Sequence, residues 1–237
     1  AAAAGLRFGA VAEGEEIRLL GSGLTSLADV PRLQAVGRSL LALQLHANRL
    51  VSVAGLHAAC PQLQRLVLSS NEIASLEGLS GLRRLQRLDL SSNCLVSLQG
   101  LEGLDALEEV SAAHNRISEL DGLLPLRGRS SRLHRVDLRD NAVESLGELL
   151  LLGGLDGLAD LRLQGQGGRR ANPVCGLPGY RAAVLRAAPS VGQLDEAPVG
   201  EAERFVARNG SAASAPPCWP RLQPGDGGGS GGSGGSA

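Results

Sequence analysis

A short leucine- and asparagine-containing pattern recurs along the chain and constrains its fold more than any other feature. Copies of the template LxxLxLxxNxIxxL occupy residues 40–53, 63–76, 85–98, 107–120 and 133–146. Their asparagines stand 23, 22, 22 and 26 residues apart. The leucine spacing fits neither a helix nor a strand over the whole copy, so each copy must combine a short strand with a turn and a return segment.

Each copy has the features of one coil of a solenoid. The two leucines of LxL point inward and alternate with an outward residue, as on a strand. The asparagine enters the core, where its amide can bond backbone groups that the turn leaves unpaired. No copy buries its leucines alone, so neighbours must stack. The pattern predicts an α/β solenoid of about seven leucine-rich repeats, right-handed, with a parallel concave sheet. The predicted structural asparagines are Asn48, Asn71, Asn93, Asn115 and Asn141.

Weaker copies extend the series at both ends. The first occupies residues 17–27, with Ser22 at the asparagine position, and the last begins at Leu158, with Gln166 at that position. Coils this short leave room mainly for 3₁₀ turns on the convex side. We expect helical pieces where the coils lengthen, at 27–40 and 146–158.

A C-terminal cap is predicted over residues 172–196, because a stacked core would otherwise be open to water. Pro178 can start a helix that places Tyr180, Val184 and Leu185 on one face, and Pro189 ends it. A last extended piece, VGQLD, follows. The predicted organisation is a flexible segment at 1–13, repeats at 14–166, the cap and its flank at 167–208, and a disordered Gly/Ser-rich tail at 209–237.

Composition and motifs argue against an enzyme and against a nucleic-acid site. The net charge is −1 and aromatic residues make up 2% of the chain, so basic surfaces and base-stacking platforms are not expected. The glycine-rich stretch 165–170 lacks a phosphate-cradle motif, and no apolar run is long enough to span a membrane. The four cysteines are dispersed, which predicts free thiols in a reducing compartment. We therefore expect no catalysis, cofactor, metal, small-molecule substrate or membrane partner.

The cap resembles a motif shared by nuclear phosphatase regulators with short leucine-rich repeats, spliceosomal A-prime proteins and several ciliary proteins. The matching positions are Asn172, Pro173, Tyr180, Arg181, Val184, Leu185, Pro189, Leu194 and Asp195. Residues 122–146 and 172–189 resemble more specifically the centriolar leucine-rich repeat and coiled-coil family, which includes algal variable-flagella-number proteins. Two features differ from that family. Ala112 replaces a core leucine, and Gly/Ser-rich sequence stands in place of the coiled coil. The missing coiled coil and the absence of methionine favour a fragment of a longer product.

Three rows of outward strand residues are predicted to line the concave face. The central row is Gln44, Val67, Asp89, Ser111, Asp137 and Arg162. The preceding row is Arg65, Arg87, Glu109, Arg135 and Asp160. The following row is His46, Ser69, Ser91, Ala113, Arg139 and Gln164. From these rows the candidate partner-binding residues are Arg65, Val67, Ser69, Arg87, Asp89, Ser91, Glu109, Ser111, Arg135, Asp137, Arg139 and Arg162.

Two interpretations of the concave arginines remain open. They can receive an acidic helix or tail of a partner protein. Alternatively, they form a solvated face in which they pair with Asp89, Glu109 and Asp137. The expected function is a non-enzymatic protein-interaction scaffold. The resemblance implies a cytoplasmic and cytoskeletal setting at the centriole, basal body or cilium, with a role in microtubule organisation. A phosphatase-regulatory subunit and a spliceosomal adaptor are the alternatives.

Overall fold

An open sheet forms the concave wall of the molecule. The computed structural model describes residues 7–11, 14–128 and 130–210, and within them the sheet has ten strands in sequence order. The strands are β1 (Arg7–Val11), β2 (Gly14–Arg18), β3 (Leu40–Gln44), β4 (Arg65–Val67), β5 (Arg87–Asp89), β6 (Glu109–Ser111), β7 (Arg135–Asp137), β8 (Asp160–Arg162), β9 (Gln193–Leu194) and β10 (Ala197–Pro198). Strands β2 to β9 pair in parallel with one another. The two outermost pairs, β1–β2 and β9–β10, are antiparallel.

Short helices and turns form the convex side. The α-helices are α1 (Leu33–Val36), α2 (Leu56–Ala59), α3 (Leu146–Leu149), α4 (Tyr180–Ala187) and α5 (Glu201–Asn209). The 3₁₀ segments are Leu27–Asp29, Asp121–Leu126, Leu150–Leu152, Gln166–Gly168 and Pro173–Gly176. Helical pieces lie in both lengthened coils, at 27–40 and 146–158, where the sequence predicts them. The predicted α/β leucine-rich repeat solenoid is confirmed.

The strand register stacks equivalent positions of successive coils. Leu43, Leu66 and Leu88 pair in turn and are almost completely buried, as the inward LxL positions require. Ala112, which replaces a leucine of the fourth full copy, is also fully buried in this core. The fold therefore tolerates a smaller side chain at that core position and keeps it buried.

A ladder of buried asparagines joins the coils. The Asn93 Oδ1 accepts the Ile73 N–H at 3.0 Å, and its Nδ2 donates to the carbonyls of Leu68 and Leu90 at 3.0 and 2.9 Å. Equivalent bonds are made by Asn48, Asn71, Asn115 and Asn141. Each asparagine thus satisfies backbone groups of its own coil and of the preceding one, which supports its predicted structural role.

The last asparagine of the ladder is Asn172, and the assignment of Gln166 to this position was wrong. Asn172 accepts the Val143 N–H at 3.0 Å and donates to the carbonyls of Leu138 and Leu163, both at 2.7 Å. The intervening residues form an inserted loop, so the LxLxxN spacing does not hold in this coil. The sequence pattern placed the rung too early because it assumed constant spacing.

The cap closes the C-terminal end of the core. Helix α4 buries Tyr180, Val184 and Leu185, as predicted. The Tyr180 hydroxyl donates to Asp195 Oδ2 at 2.7 Å, while Asp195 Oδ1 accepts the Leu163 N–H at 2.9 Å. Asp195 therefore takes over the role of the asparagines at the end of the ladder. Burial, followed by the charge of Asp195, raises the pKa of Tyr180 above its usual range, so the phenol stays protonated.

Both ends differ in detail from the expected organisation. In the segment expected to be flexible, Arg7–Val11 forms β1 against β2, while residues 1–6, 12 and 13 lie outside the described residues. At the other end, helix α5 follows the predicted cap and is held by an Arg181–Glu203 ion pair of 2.6 Å. Most of the predicted tail, including Trp219, also lies outside the described residues.

Candidate protein-binding groove

A groove of about 440 Å³ runs along the concave sheet. Its walls are the outward side chains of β4 to β8, because the parallel register aligns these positions from coil to coil. The polar and charged residues that line it are Arg65, Arg87, Asp89, Glu109, Ser111, Arg135, Asp137 and Arg162. The structure thus brings residues of the central and the preceding predicted rows together on one surface. The following row does not line the groove, and its Ser69 and Ala113 are buried rather than outward-facing as predicted.

The amino-terminal half of the groove, defined by Arg65, Arg87 and Asp89, carries charges with few partners. Arg65 lies directly opposite Arg87 across β4 and β5, and both are exposed. Within the described residues Arg65 makes no ion pair, and Arg87 makes one contact, 3.7 Å from Glu109. Asp89 accepts the Ser91 N–H at 3.0 Å but pairs with no described cation. This half therefore has hydrogen-bonding capacity to offer a ligand.

The carboxy-terminal half of the groove is defined by Arg135, Asp137, Arg139, Asp160 and Arg162, and its charges are paired. Arg139 binds Asp137 at 2.7 Å. Asp160 receives Arg135 and Arg162, each at 3.0 Å. The carboxylates of Asp137 and Asp160 are buried. Each arginine of this half is thus held by a buried carboxylate, Arg139 by Asp137 and both Arg135 and Arg162 by Asp160.

Two pKa shifts reflect this pairing. The hydrogen bond to Asp137 raises the pKa of Arg139, and the hydrogen bond to Asp160 raises the pKa of Arg162. Burial acts in the opposite direction at both guanidinium groups, but the nearby carboxylates outweigh it. Both arginines therefore remain charged and fixed in the network.

Glu109 stands at the boundary between the two halves. Its carboxylate lies 3.7 Å from Arg87, 3.8 Å from His134 and 4.0 Å from Arg135. These distances are long for hydrogen-bonded ion pairs, which are commonly about 2.7–2.9 Å. Glu109 is thus shared among Arg87, His134 and Arg135 and is held tightly by none of them.

Ser111 contributes a hydroxyl group to the groove, and further hydroxyl contacts are made by Ser69 and Ser91. The Ser69 hydroxyl lies 3.0 Å from His46 Nδ1, and the hydroxyls of Ser91 and Ser111 lie 2.8 Å apart. The Ser69–His46 contact has the geometry of a nucleophile and its base, but no carboxylate of the described residues is bonded to His46 to orient the imidazole. Across the described residues, no group of three or more His, Cys, Asp or Glu side chains could hold a metal ion.

The interpretation of the concave arginines as a face paired with its own acids applies to one half of the groove. Pairing with neighbouring acids accounts for Arg135, Arg139 and Arg162, and pairing of Asp137 with Arg139 was expected. Asp89 does not form the ion pair that the sequence suggested. The rows were traced only as far as β8, so they omitted Glu196, which lies 2.8 Å from Arg139 and 3.6 Å from Arg162. Treating VGQLD as one more strand of the sheet could have revealed it.

Outside the groove, three cysteines of the described residues are free thiols: Cys60, Cys94 and Cys175. Burial raises the pKa of Cys60 and of Cys175 to about 11, so both are protonated at neutral pH. None of the helices within the described residues is long and apolar enough to cross a bilayer.

Comparison with known proteins supports the repeat assignment. Residues 61–103 match the family described as Leucine Rich repeats (2 copies). Over 74 residues the chain is 42% identical to Leucine-rich repeat and coiled-coil domain-containing protein 1 of Homo sapiens, an alignment that covers 31% of this chain and 7% of the relative. The protein of the same name from Mus musculus is 38% identical over 73 residues, which cover 30% of this chain and 7% of that relative. The matched region is therefore a small part of the curated relatives.

Solved structures of bacterial proteins share the fold. An internalin (inlF) of Listeria monocytogenes aligns with a TM-score of 0.56 and 15% identity over 76% of this chain and 46% of its own. An internalin C2 of the same organism aligns with a TM-score of 0.51 and 22% identity, over 62% of this chain and 70% of its own.

A leucine-rich repeat domain is a protein-interaction scaffold, since its stacked strands display side chains on a continuous concave surface. The asparagine ladder, the matched repeats and the shared fold agree. The chain is a leucine-rich repeat solenoid, and its repeats resemble those of leucine-rich repeat and coiled-coil domain-containing proteins.

Proposed function

We propose that the chain is a non-enzymatic scaffold whose concave groove binds an acidic segment of another protein. The observation that carries this proposal is the adjacency of Arg65 and Arg87. Among the described residues Arg65 makes no ion pair, and the one ion-pair contact of Arg87 is a long one, 3.7 Å from Glu109. Like charges directly opposite each other on neighbouring strands are destabilising. An acidic group bound between them relieves that repulsion and adds charge-assisted hydrogen bonds.

The solenoid supports this role through rigidity. The backbone beneath Arg65 and Arg87 is fixed by strand pairing on both sides and by the ladder residues Asn71 and Asn93. Little backbone entropy is lost when a partner docks on such a surface, so a modest number of polar contacts is sufficient for binding.

The proposed setting is the centriole, basal body or cilium, with microtubule organisation or ciliary assembly as the process. The support is the likeness of residues 122–146 and 172–189 to the centriolar leucine-rich repeat and coiled-coil family. The names of the human and mouse relatives agree with this family.

Direct binding of an acidic probe tests the groove. We would titrate a fluorescent helical peptide of about 16 residues, built from Glu, Ala and Leu, and follow its anisotropy. The variant Arg65→Glu/Arg87→Glu should bind at least about 10-fold more weakly than wild type, which corresponds to about 1.4 kcal/mol. The matched control is Arg83→Glu/Arg84→Glu, which makes the same charge change at two exposed arginines outside the three rows.

The control should bind like wild type. Equal weakening of peptide binding in both variants would show that the effect comes from net charge alone. Unchanged peptide binding by the groove variant would show that Arg65 and Arg87 are not part of the binding site. Circular dichroism of each variant checks that the fold is intact.

The cellular setting needs a separate measurement. A fluorescently tagged chain in ciliated cells should concentrate at basal bodies, and the groove variant should lose that enrichment while the control keeps it. Enrichment in the nucleus, with co-purification of a phosphatase catalytic subunit or of spliceosomal RNA, would instead favour one of the two alternative families.

A further inference from the structure

We propose that the acidic group received by Arg65 and Arg87 is a phosphorylated side chain of a partner protein. This inference rests on the proposed function and specifies the chemistry of the ligand. It depends on three features of the amino-terminal half of the groove: the paired register of two arginines, the loose hold of Glu109, and the unpaired carboxylate of Asp89.

The two arginines match one phosphate better than one carboxylate. Their strands pair in register, so their backbones lie about 4.8 Å apart and the long side chains can converge on one group. A phosphoserine carries a charge of about −1.5 to −2 and three acceptor oxygens, whereas a glutamate carries −1 and two oxygens. Planar guanidinium forks bind phosphate oxygens in a bidentate manner. A single phosphate therefore neutralises both arginines, and a single carboxylate leaves one uncompensated.

Glu109 can release Arg87 at little cost. Among the described residues it is the one ion-pair partner of Arg87, at 3.7 Å, and it would compete with an incoming phosphate. His134 and Arg135 lie almost as close to the same carboxylate, at 3.8 and 4.0 Å. When Arg87 turns to a ligand, Glu109 keeps Arg135 as a cationic neighbour on the next coil.

The negative charge of Asp89 disfavours a second anion beside the phosphate and indicates which group of the partner lies next to it. Asp89 lies two residues after Arg87 on the same face, about 7 Å along the strand. Its carboxylate has no ion-pair partner within the described part of the chain. The partner segment should therefore place a lysine, an arginine or a free N–H next to its phosphorylated residue.

The charge pattern disfavours polyanions and membranes as the source of the phosphate. The row of Arg65 and Arg87 continues as Glu109, Arg135 and Asp160, so a nucleic-acid backbone would meet carboxylates after two cations. A flat bilayer surface cannot follow a concave groove to its floor. A single modified side chain on a protein segment fits both constraints.

Side-chain NMR of the arginines tests the proposal with small probes. We would assign the Nε–H resonances with single Arg→Lys variants and titrate the intact chain with N-acetyl-phosphoserine amide, N-acetyl-glutamate amide and inorganic phosphate at constant ionic strength. Resonances of Arg65 and Arg87 should shift together with phosphoserine, with an apparent Kd at least about 5-fold lower than with glutamate. Those of Arg139 and Arg162 should stay in place, because these guanidiniums are already paired.

The outcomes separate this inference from the proposed function. Equal affinity for the phosphoserine and glutamate probes overturns the phosphate preference while the acidic-segment proposal stands. Shifts at neither arginine with either probe contradict both proposals. Shifts centred on Arg139 and Arg162 would move the anion site to the other half and overturn the inference.

A variant that neutralises Glu109 provides a gain-of-binding test. Glu109→Gln removes the competing carboxylate and should tighten phosphoserine binding about 3-fold. Glu77→Gln is the matched control, since Glu77 is an exposed carboxylate outside the three rows, and it should leave affinity unchanged. Unchanged or weaker binding by the Glu109 variant would contradict the competition on which the inference depends.

Discussion

The two halves of the groove share one backbone and differ in how their charges are used. Asp89 and Asp137 occupy the same row, and each accepts the N–H two residues ahead, from Ser91 and Arg139. Asp137 is buried and binds the Arg139 guanidinium at 2.7 Å, whereas Asp89 is half-buried and has no cationic partner in the described residues. The comparison shows that equal positions in the repeat need not have equal roles. One carboxylate belongs to the internal network and the other is available to a ligand.

Proximity to the cap explains much of this difference. Glu196 comes from the chain after β9 and reaches Arg139 and Arg162. The cap therefore does more than cover leucines, because it also supplies a carboxylate that completes the ion pairs of the last coils. Arg65 and Arg87 lie several coils away and receive no such group.

The largest effect that we expect is the loss of stability when a ladder asparagine is removed. This loss should be the same in the two halves of the groove. Asn93 and Asn141 are each 8% exposed and make matching bonds to their own and the preceding coil. Asn93→Ala and Asn141→Ala should each lower the free energy of unfolding by about 1–3 kcal/mol, because buried backbone groups are left unsatisfied. Chemical denaturation measures both values. A cost confined to one variant would show that the halves differ in their scaffold as well as in their charges.

Neutralising Asp89 and Asp137, which occupy equivalent positions, should affect the free energy of unfolding differently in the two halves. Asp137→Asn keeps an oxygen for the Arg139 N–H but weakens the ion pair, and we expect a loss of about 1–2 kcal/mol in unfolding free energy. Asp89→Asn should change stability by less than about 0.5 kcal/mol. Equal losses in denaturant titrations would mean that Asp89 has a structural partner that the ion-pair geometry does not reveal.

The smallest expected effect is a slight gain in the free energy of unfolding. Arg65→Ala/Arg87→Ala removes two like charges that face each other across β4 and β5. Their repulsion is worth a few tenths of a kcal/mol, so the variant should be as stable as wild type or more stable by about 0.3 kcal/mol. A clear destabilisation, measured by thermal and chemical unfolding, would assign the pair a structural role and weaken the binding proposal.

Much of the fold could be predicted because its pattern is local. The LxL strands, the ladder from Asn48 to Asn141 and the buried face of α4 all follow from spacing within one coil. Asn172 was missed because an inserted loop breaks that spacing, and Asp195 was not recognised as the final rung because a carboxylate replaces the amide.

The site was only partly predictable, because its asymmetry depends on which side chains meet across coils. Sequence placed Arg65 beside Arg87 correctly, since both fall at the same repeat position. The predicted rows ended at β8, so they missed Glu196, which lies 57 residues further along the chain and binds Arg139. Nor could the sequence show that Glu109 is shared rather than paired, because that depends on side-chain distances and not on spacing.

A charge-swap titration tests most directly the claim that the amino-terminal half is the binding half. The acidic helical peptide and a counterpart with its glutamates replaced by lysines would each be titrated into wild type and into Arg65→Glu/Arg87→Glu. We expect the variant to bind the acidic peptide at least about 10-fold more weakly than wild type and to bind the basic peptide more tightly, because the charge of this half of the groove is reversed. Undiminished binding of the acidic peptide by the variant would contradict the account.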